Sequence, residues 1–326
     1  MHIAFNVIGT VVFLGLFYIL HGIFQFAIVN MSVDAVGIAV VHTVFNVLTT
    51  TALLPFTKHL EKLANKVMKD KETEAAPLID DRLIVTPSVA VAECDALTNK
   101  MAKIAKETLE GAIAMLTDYN EKTASEIIEK EDVIDNYEDA LGTYLVKVSA
   151  KKLSDTDSNS VSKMLHTIGN FERLGDHGVS ILKVAKELHE KQLTFSSEAQ
   201  KELSLLIEAI KEIANITTEA YVNNDIEEAN KTEPLEQAID MLVAELKARH
   251  IHRLRNGECS IELGFILSDL LGNFERIGDH YSNIAVSVIE LSHNSFDTHK
   301  YLNSVKYGDR SFTEKCEEYF KKYRLE

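Results

Sequence analysis

Gly169-Asn170-Phe171-Glu172-Arg173-Leu174-Gly175-Asp176-His177 recurs as Gly272-Asn273-Phe274-Glu275-Arg276-Ile277-Gly278-Asp279-His280, with Leu174/Ile277 the one change. The shift is 275 − 172 = 103 positions. A repeat at so long a period is one supersecondary unit present twice.

Working outward, each line lies on the third helix of a three-helix unit. Thr86-Pro87 opens a helix with Thr as N-cap and Pro at the first position, running to about 118. Asn120 begins a second, to about 152, and 153–159 is a polar loop. Ser160 begins the helix that carries the first line. The order then repeats: Ser196-Ser197 caps a helix to about 223, 224–255 is the next, Asn256-Gly257 breaks it, and 258–293 carries the second line. A short helix over 311–323 closes the chain. The middle helices repeat too, as Glu131-Asp132-Val133-Ile134-Asp135 against Glu236-Gln237-Ala238-Ile239-Asp240. Four prolines, no tryptophan and abundant Ala, Leu, Glu and Lys agree with an all-α chain.

A net charge of −16 argues against nucleic acid as a partner, because phosphate backbones select basic surfaces. Cys94, Cys259 and Cys316 are odd in number and widely spaced, as suits reduced thiols rather than a disulfide framework.

The averages hide a boundary: Asp34 is the one charged residue before Lys58. Residues 7–29 are apolar and long enough to cross a hydrocarbon core of about 30 Å, and 35–56 form a second such run. Pro55 and then Lys58, Lys62, Lys66 and Lys69 end it, placing that end on the cytoplasmic side. A buried soluble hairpin is the plain alternative. His2-Ile3-Ala4-Phe5-Asn6 recurs as His42-Thr43-Val44-Phe45-Asn46, so Asn6, His42 and Asn46 are polar groups at membrane depth. They suit either interhelical hydrogen bonding or a transport pathway.

Residues four apart share one helix face. Glu131 with Asp135 and Glu172 with Asp176 therefore make two carboxylate faces, as do Glu236 with Asp240 and Glu275 with Asp279. Facing helices would gather four carboxylates, which repel unless a cation or donors lie between them. Oxygen-only ligands suit Mg²⁺, Mn²⁺ or iron. Alternatively Arg173 and Arg276 pair with these acids across helices. His177 stands five residues from Glu172, about 140° round a helix, so it and His280 face solvent or the other unit. No nucleophile–base arrangement and no Gly-rich phosphate loop occurs, so the chain is read as a non-enzyme. Gly169, Gly175, Gly272 and Gly278 lie inside helices, where Gly costs up to about 1 kcal/mol; close helix packing is the plain reason for them.

The repeated N-F-E-R-[LI]-G-D-H line, with E-x-x-x-D one helix earlier, resembles the PhoU domain. That resemblance implies a pair of three-helix repeats, a regulatory role in phosphate uptake, and metal clusters held through E/D-x-x-x-D. The N-terminal part, with H-x-x-F-N and Leu54-Pro55-Phe56, resembles the end of the membrane domain of bacterial sodium/phosphate cotransporters. The junction from Pro77-Leu78-Ile79-Asp80-Asp81 to Thr86-Pro87-Ser88 resembles the one those transporters use before a C-terminal PhoU domain. The family's paired Gln-Ser-Ser-rich substrate segments have no counterpart here, so the chain reads as the C-terminal portion of a transporter.

The expected architecture is all-α: two N-terminal transmembrane helices over 1–57, a cytoplasmic linker over 58–86, a PhoU-like pair of three-helix bundle repeats over 87–294 (87–192 and 196–294), and a tail over 295–326. The resemblance implies sodium as coupling ion and inorganic phosphate as substrate. It places the chain in the inner membrane with 58–326 in the cytoplasm, beside a missing transporter half or a second copy. The alternative is a membrane-tethered phosphate-signalling adaptor without transport.

Overall fold

Proline and the short polar residues open the helices. Pro87 starts α1 (Pro87–Ala114) at the position where its missing N–H costs nothing. Asn120 Oδ1 accepts the Lys122 and Thr123 amides at the start of α2 (Glu121–Ser149). Ser154 accepts the Asp157 amide and opens α3 (Asp155–Glu190), so the expected loop 153–159 is corrected: the polar run is a cap and a first turn. Ser196 caps α4 (Ser197–Asn223), which ends at Asn224 in the left-handed region, φ 52°.

The expected single helix 224–255 is two pieces, α5 (Ile226–Ala229) and α6 (Thr232–Arg255). Pro234 is the reason: it cannot donate to residue 230, and its ring crowds that carbonyl, so the chain restarts. α7 (Ile261–His293) carries the second line and α8 (Arg310–Lys322) the tail.

The computed structural model describes residues 14–15, 17–26, 37, 42–43, 47, 79–293 and 310–325. Met1–Thr73 and Glu74–Glu326 form separate compact units. The apolar run 7–29 is described at 14–15 and 17–26, while the run 35–56 lies largely outside the described residues, as do Asn6 and Asn46; among the described residues no helix is long and apolar enough to cross a membrane. His42 is helical and exposed. Residues 17–24 are helical, and Tyr18, Ile19, Ile23 and Phe24 are about two-thirds exposed.

In the second unit α1, α2 and α3 form one three-helix bundle, and α4, α6 and α7 the other. They meet where α3 lies along α7 and α1 along α4. The end of the expected linker belongs to the first bundle. Asp81–Val85 form a 3₁₀ turn whose Leu83 and Ile84 rest on the core, and Tyr144 donates to the Asp80 carbonyl at 3.2 Å.

Each repeated line divides its residues among three neighbours, as helical spacing requires. Phe171, Leu174, Phe274 and Ile277 are buried in the cores. Glu172 and Asp176 turn toward α2. Asn170 and His177 turn toward α7.

A second inter-repeat contact centres on Lys163, which is buried. Its ammonium donates to Asn224 Oδ1 at 2.7 Å, lies 4.3 Å from the Tyr221 ring centroid, and is 3.7 Å from Asp95. Desolvation lowers its pKa, with Asp95 acting in the opposite sense. Tyr221 also meets Phe171 edge to face at 5.0 Å and bonds Thr167 at 3.0 Å.

Candidate functional site

Small size at one position brings the first carboxylate set together. A Cβ on Gly175 would lie 3.1 Å from Ile134 Cδ1 and 3.6 Å from Glu131 Cγ. The glycine therefore lets α2 settle on α3 with the Glu131 stem across it. Glu131 and Glu172 are half-buried and Asp135 is exposed. Burial, then Asp135, Asp132, Asp176 and Glu172, push the Glu131 carboxyl above the ordinary glutamate range. Burial and then Asp176 raise Asp135. Burial and Asp176 raise Glu172 as well, against the pull of Arg173. The four acids thus share one field, and the raised groups record burial first and mutual repulsion second.

Arg173 does pair with acids, but on its own helix: 3.4 Å to Glu172 and 3.2 Å to Asp176. The cross-helix pairing considered from sequence is not what the first repeat uses.

The second set follows the same plan with looser membership. Gly278 would meet Glu236 Cγ and Ile239 Cγ2 at 3.7 Å. Glu236 is buried and accepts from Gln237 Nε2 at 2.9 Å. Burial and Glu275 raise the Asp279 carboxyl, and Glu233 adds to this. Glu275 is held by Lys247 at 2.6 Å, and Asp240 is exposed. Among the described residues no three His, Cys, Asp or Glu side chains converge closely enough to hold a metal ion. The donor type of the first set, all oxygen and mutually repelling, fits a hard cation.

The histidines settle between the repeats. His177 Nδ1 lies 2.8 Å from Asn273 Oδ1, and His280 Nδ1 lies 3.0 Å from Asn170 Oδ1. Each Asn amide nitrogen already donates to a backbone carbonyl, Asn170 to His166 at 2.9 Å and Asn273 to Asp269 at 2.8 Å. The Asn oxygens are therefore acceptors, and each imidazole must carry its proton on Nδ1. The two rings stand 5.4 Å apart. Burial first, and His177 second, hold the His280 pKa down at about 4. Of the two placements open in the sequence, solvent or the other unit, the structure takes the second. Asn170 and Asn273 were not singled out from sequence, although their spacing of seven from His177 and His280 puts them on the same helix face.

An all-α chain of two three-helix bundles, with a carboxylate face in each and a crosswise His–Asn contact between them, defines the class. The chain belongs to the PhoU domain family, which it matches over residues 98–185 and 203–288, just over half of its length. It is 26% identical over 200 residues to the phosphate-specific transport system accessory protein PhoU homolog 1 of Thermotoga maritima, covering 59% of this chain and 83% of that protein. It is 21% identical over 258 residues to the putative inorganic phosphate export protein YjbB of Escherichia coli O157:H7, covering 76% of this chain. The chain spans about half, 47%, of YjbB's length. The crystal structure of PhoU from Pseudomonas aeruginosa superposes with a TM-score of 0.58 at 19% identity, over 63% of this chain and 97% of that one. The likeness to that structure shows the fold.

Proposed function

We propose that this chain is the regulatory portion of a phosphate-transport membrane protein. The bundle is its regulatory body on the cytoplasmic side, and the N-terminal apolar segment holds it in the inner membrane. The observation that carries this is the order of parts: two PhoU repeats preceded by a segment whose helical residues expose Tyr18, Ile19, Ile23 and Phe24. Side chains of that size left in water would be costly, and a lipid environment removes the cost. Similarity to YjbB over 258 residues supports a setting in phosphate export or import. Sodium as coupling ion rests on the cotransporter resemblance.

Fractionation tests the anchor: the full chain should sediment with membranes and need detergent for release. Recovery in the soluble fraction would refute the anchor. Phosphate flux tests the role. Cells carrying the chain should show altered phosphate uptake or release, whereas vesicles holding the chain alone should show no sodium-driven uptake. Unchanged cellular flux would refute the regulatory reading.

The carboxylate faces are read as seats for a divalent or iron-type cation, with Glu131, Asp135, Glu172 and Asp176 as ligands in one repeat and Glu236, Asp240, Glu275 and Asp279 in the other. The raised carboxyls of Glu131, Asp135, Glu172 and Asp279 support this, because a bound cation would remove the part of the shift that comes from neighbouring acids. Elemental analysis of the full chain, with melts in chelator, is the check: metal-free protein that cannot be reloaded and ignores chelator would end the reading.

A further inference from the structure

A groove of about 730 Å³ runs between α3 and α7, lined along α3 from Arg173 to Glu187 and along α7 from Ser268 to Arg276. Its floor is opened by Gly272, where an added Cβ would meet nothing within 4 Å. The charges on its walls are not equally available. Arg173 is engaged by Glu172 and Asp176, and Glu187 by Lys191 at 2.8 Å. Lys183 and Arg276 make no ion pair among the described residues. The Ser180 hydroxyl donates to the Asp176 carbonyl, and the Asn273 amide is spent on Asp269. Ser268 keeps its hydroxyl.

The repeat supplies a second, independent observation. The reciprocal His–Asn contacts relate α3 to α7 by a pseudo-twofold, so each groove residue has a counterpart 103 positions away. The counterpart of Lys183 is Val286, which is buried, and that of Ser268 is Leu165. One line is copied almost without change, yet the flanking positions differ: Lys183 and Ser268 have apolar counterparts, whereas Val179 and Val184 of this groove have Ser282 and Ser287 as theirs. Internal symmetry alone would give two like grooves.

We propose that this groove binds a tetrahedral oxyanion, a phosphoryl group either free or carried on a larger molecule, with Lys183 and Arg276 as its charged ligands and Ser268 as donor. Arg276 offers the planar fork that matches phosphate oxygens, and Lys183 a point charge. Glu131 and Asp269 on the same walls oppose an anion, so the site takes its ligand best when a divalent ion neutralises the carboxylate wall. The groove deepens the regulatory reading above, and rests on it for the choice of phosphate as probe.

The test is titration calorimetry on the detergent-solubilised full chain, with inorganic phosphate and with a nucleoside monophosphate, each in chelator and in Mn²⁺. Binding of either probe is expected. Lys183→Met and Arg276→Gln should each weaken it at least about tenfold, the scale of one charge-assisted hydrogen bond. Lys103→Met, at an exposed site on α1, should leave it unchanged. Preference for one probe identifies the source of the phosphoryl group. No heat from either probe in either buffer, or binding that both groove variants retain, overturns the proposal. Because both groove residues are surface groups, circular dichroism of the variants separates lost binding from lost fold. Binding lost in the variants upholds the groove even where phosphate flux in cells is unaltered, and absent binding leaves the membrane anchor standing.

Discussion

Replacing glycine by alanine should set Gly175 apart from Gly278, its match in the other line, and from Gly169 and Gly272. Gly169 and Gly272 lie inside α3 and α7, and an added methyl group meets nothing within 4 Å at either. Alanine there gains helix propensity of about 1 kcal/mol with no steric cost. For a folded unit of this size that is a rise of about 2–4 °C in melting temperature. Gly278→Ala places its methyl 3.7 Å from Glu236 Cγ and Ile239 Cγ2, an ordinary contact, and should keep most of the gain. Gly175→Ala meets Ile134 Cδ1 at 3.1 Å, so α2 or the Ile134 side chain must give way. Overpacking of this kind costs about 1–3 kcal/mol, which turns the propensity gain into a net change between about zero and a loss of 2 kcal/mol. Urea unfolding of the full chain in detergent, followed by circular dichroism, measures all four variants against one baseline. If Gly175→Ala stabilises as much as Gly169→Ala, the approach of α2 to α3 is not set by that glycine. The account of how the first carboxylate set is assembled then fails with it.

Glu202 is buried and held by Arg253 at 2.7 Å and Arg249 at 3.4 Å. Arg253→Met leaves that carboxylate with one distant partner and should cost about 2–4 kcal/mol, whereas Glu202→Gln with Arg253→Met together should cost less than the Arg variant alone; the urea midpoints decide. Asn273→Leu strips the acceptor from His177 Nδ1–H and should cost about 1–2 kcal/mol. In a double-mutant cycle with His177→Leu the two losses should not add, and strict additivity would deny the contact. Burial and mutual repulsion raise Glu131, Asp135 and Glu172 in the folded state. The folded chain therefore binds protons more tightly there than the unfolded one, so these groups cost stability at neutral pH. That cost is relieved as pH falls through their raised values. In chelator, wild type should gain stability relative to Glu131→Gln/Asp135→Asn between pH 7.5 and 5; parallel curves for the two would contradict this.

Much of the bundle was legible because its signals are local. Asn120, Ser196 and Pro87 open helices by chemistry contained within a few residues. The repeated line marks the third helix of each unit without reference to anything else. Two boundaries were misread for reasons equally local. Ser154 caps through the Asp157 amide inside what looked like six polar loop residues, and Pro234 divides a stretch whose periodicity looks continuous. The candidate site was legible only as far as helical spacing reaches. Four-residue spacing assigns Glu131, Asp135, Glu172 and Asp176 to faces, but how closely the faces approach depends on a Cβ that Gly175 lacks. Close packing, the plain reason given for all four glycines, holds at Gly175, while at Gly278 an added methyl would make only ordinary contact. It does not hold at Gly169 and Gly272, which look onto open space. The partner of His177 lies 96 positions away on α7, and no local pattern names it.

Each histidine of the repeated line is answered by the asparagine of the other copy. A substitution at Asn170 is felt at His280, and one at Asn273 at His177, so neither copy can drift there alone. This is the constraint of an isologous dimer interface, in which one patch must be complementary to itself, written into a single polypeptide. It accounts for a line repeated with one conservative change while the loops, the α5–α6 break and the groove margins have gone their separate ways. Descent by duplication from a symmetric pair of three-helix subunits, joined end to end, would leave such a record at the old axis of symmetry.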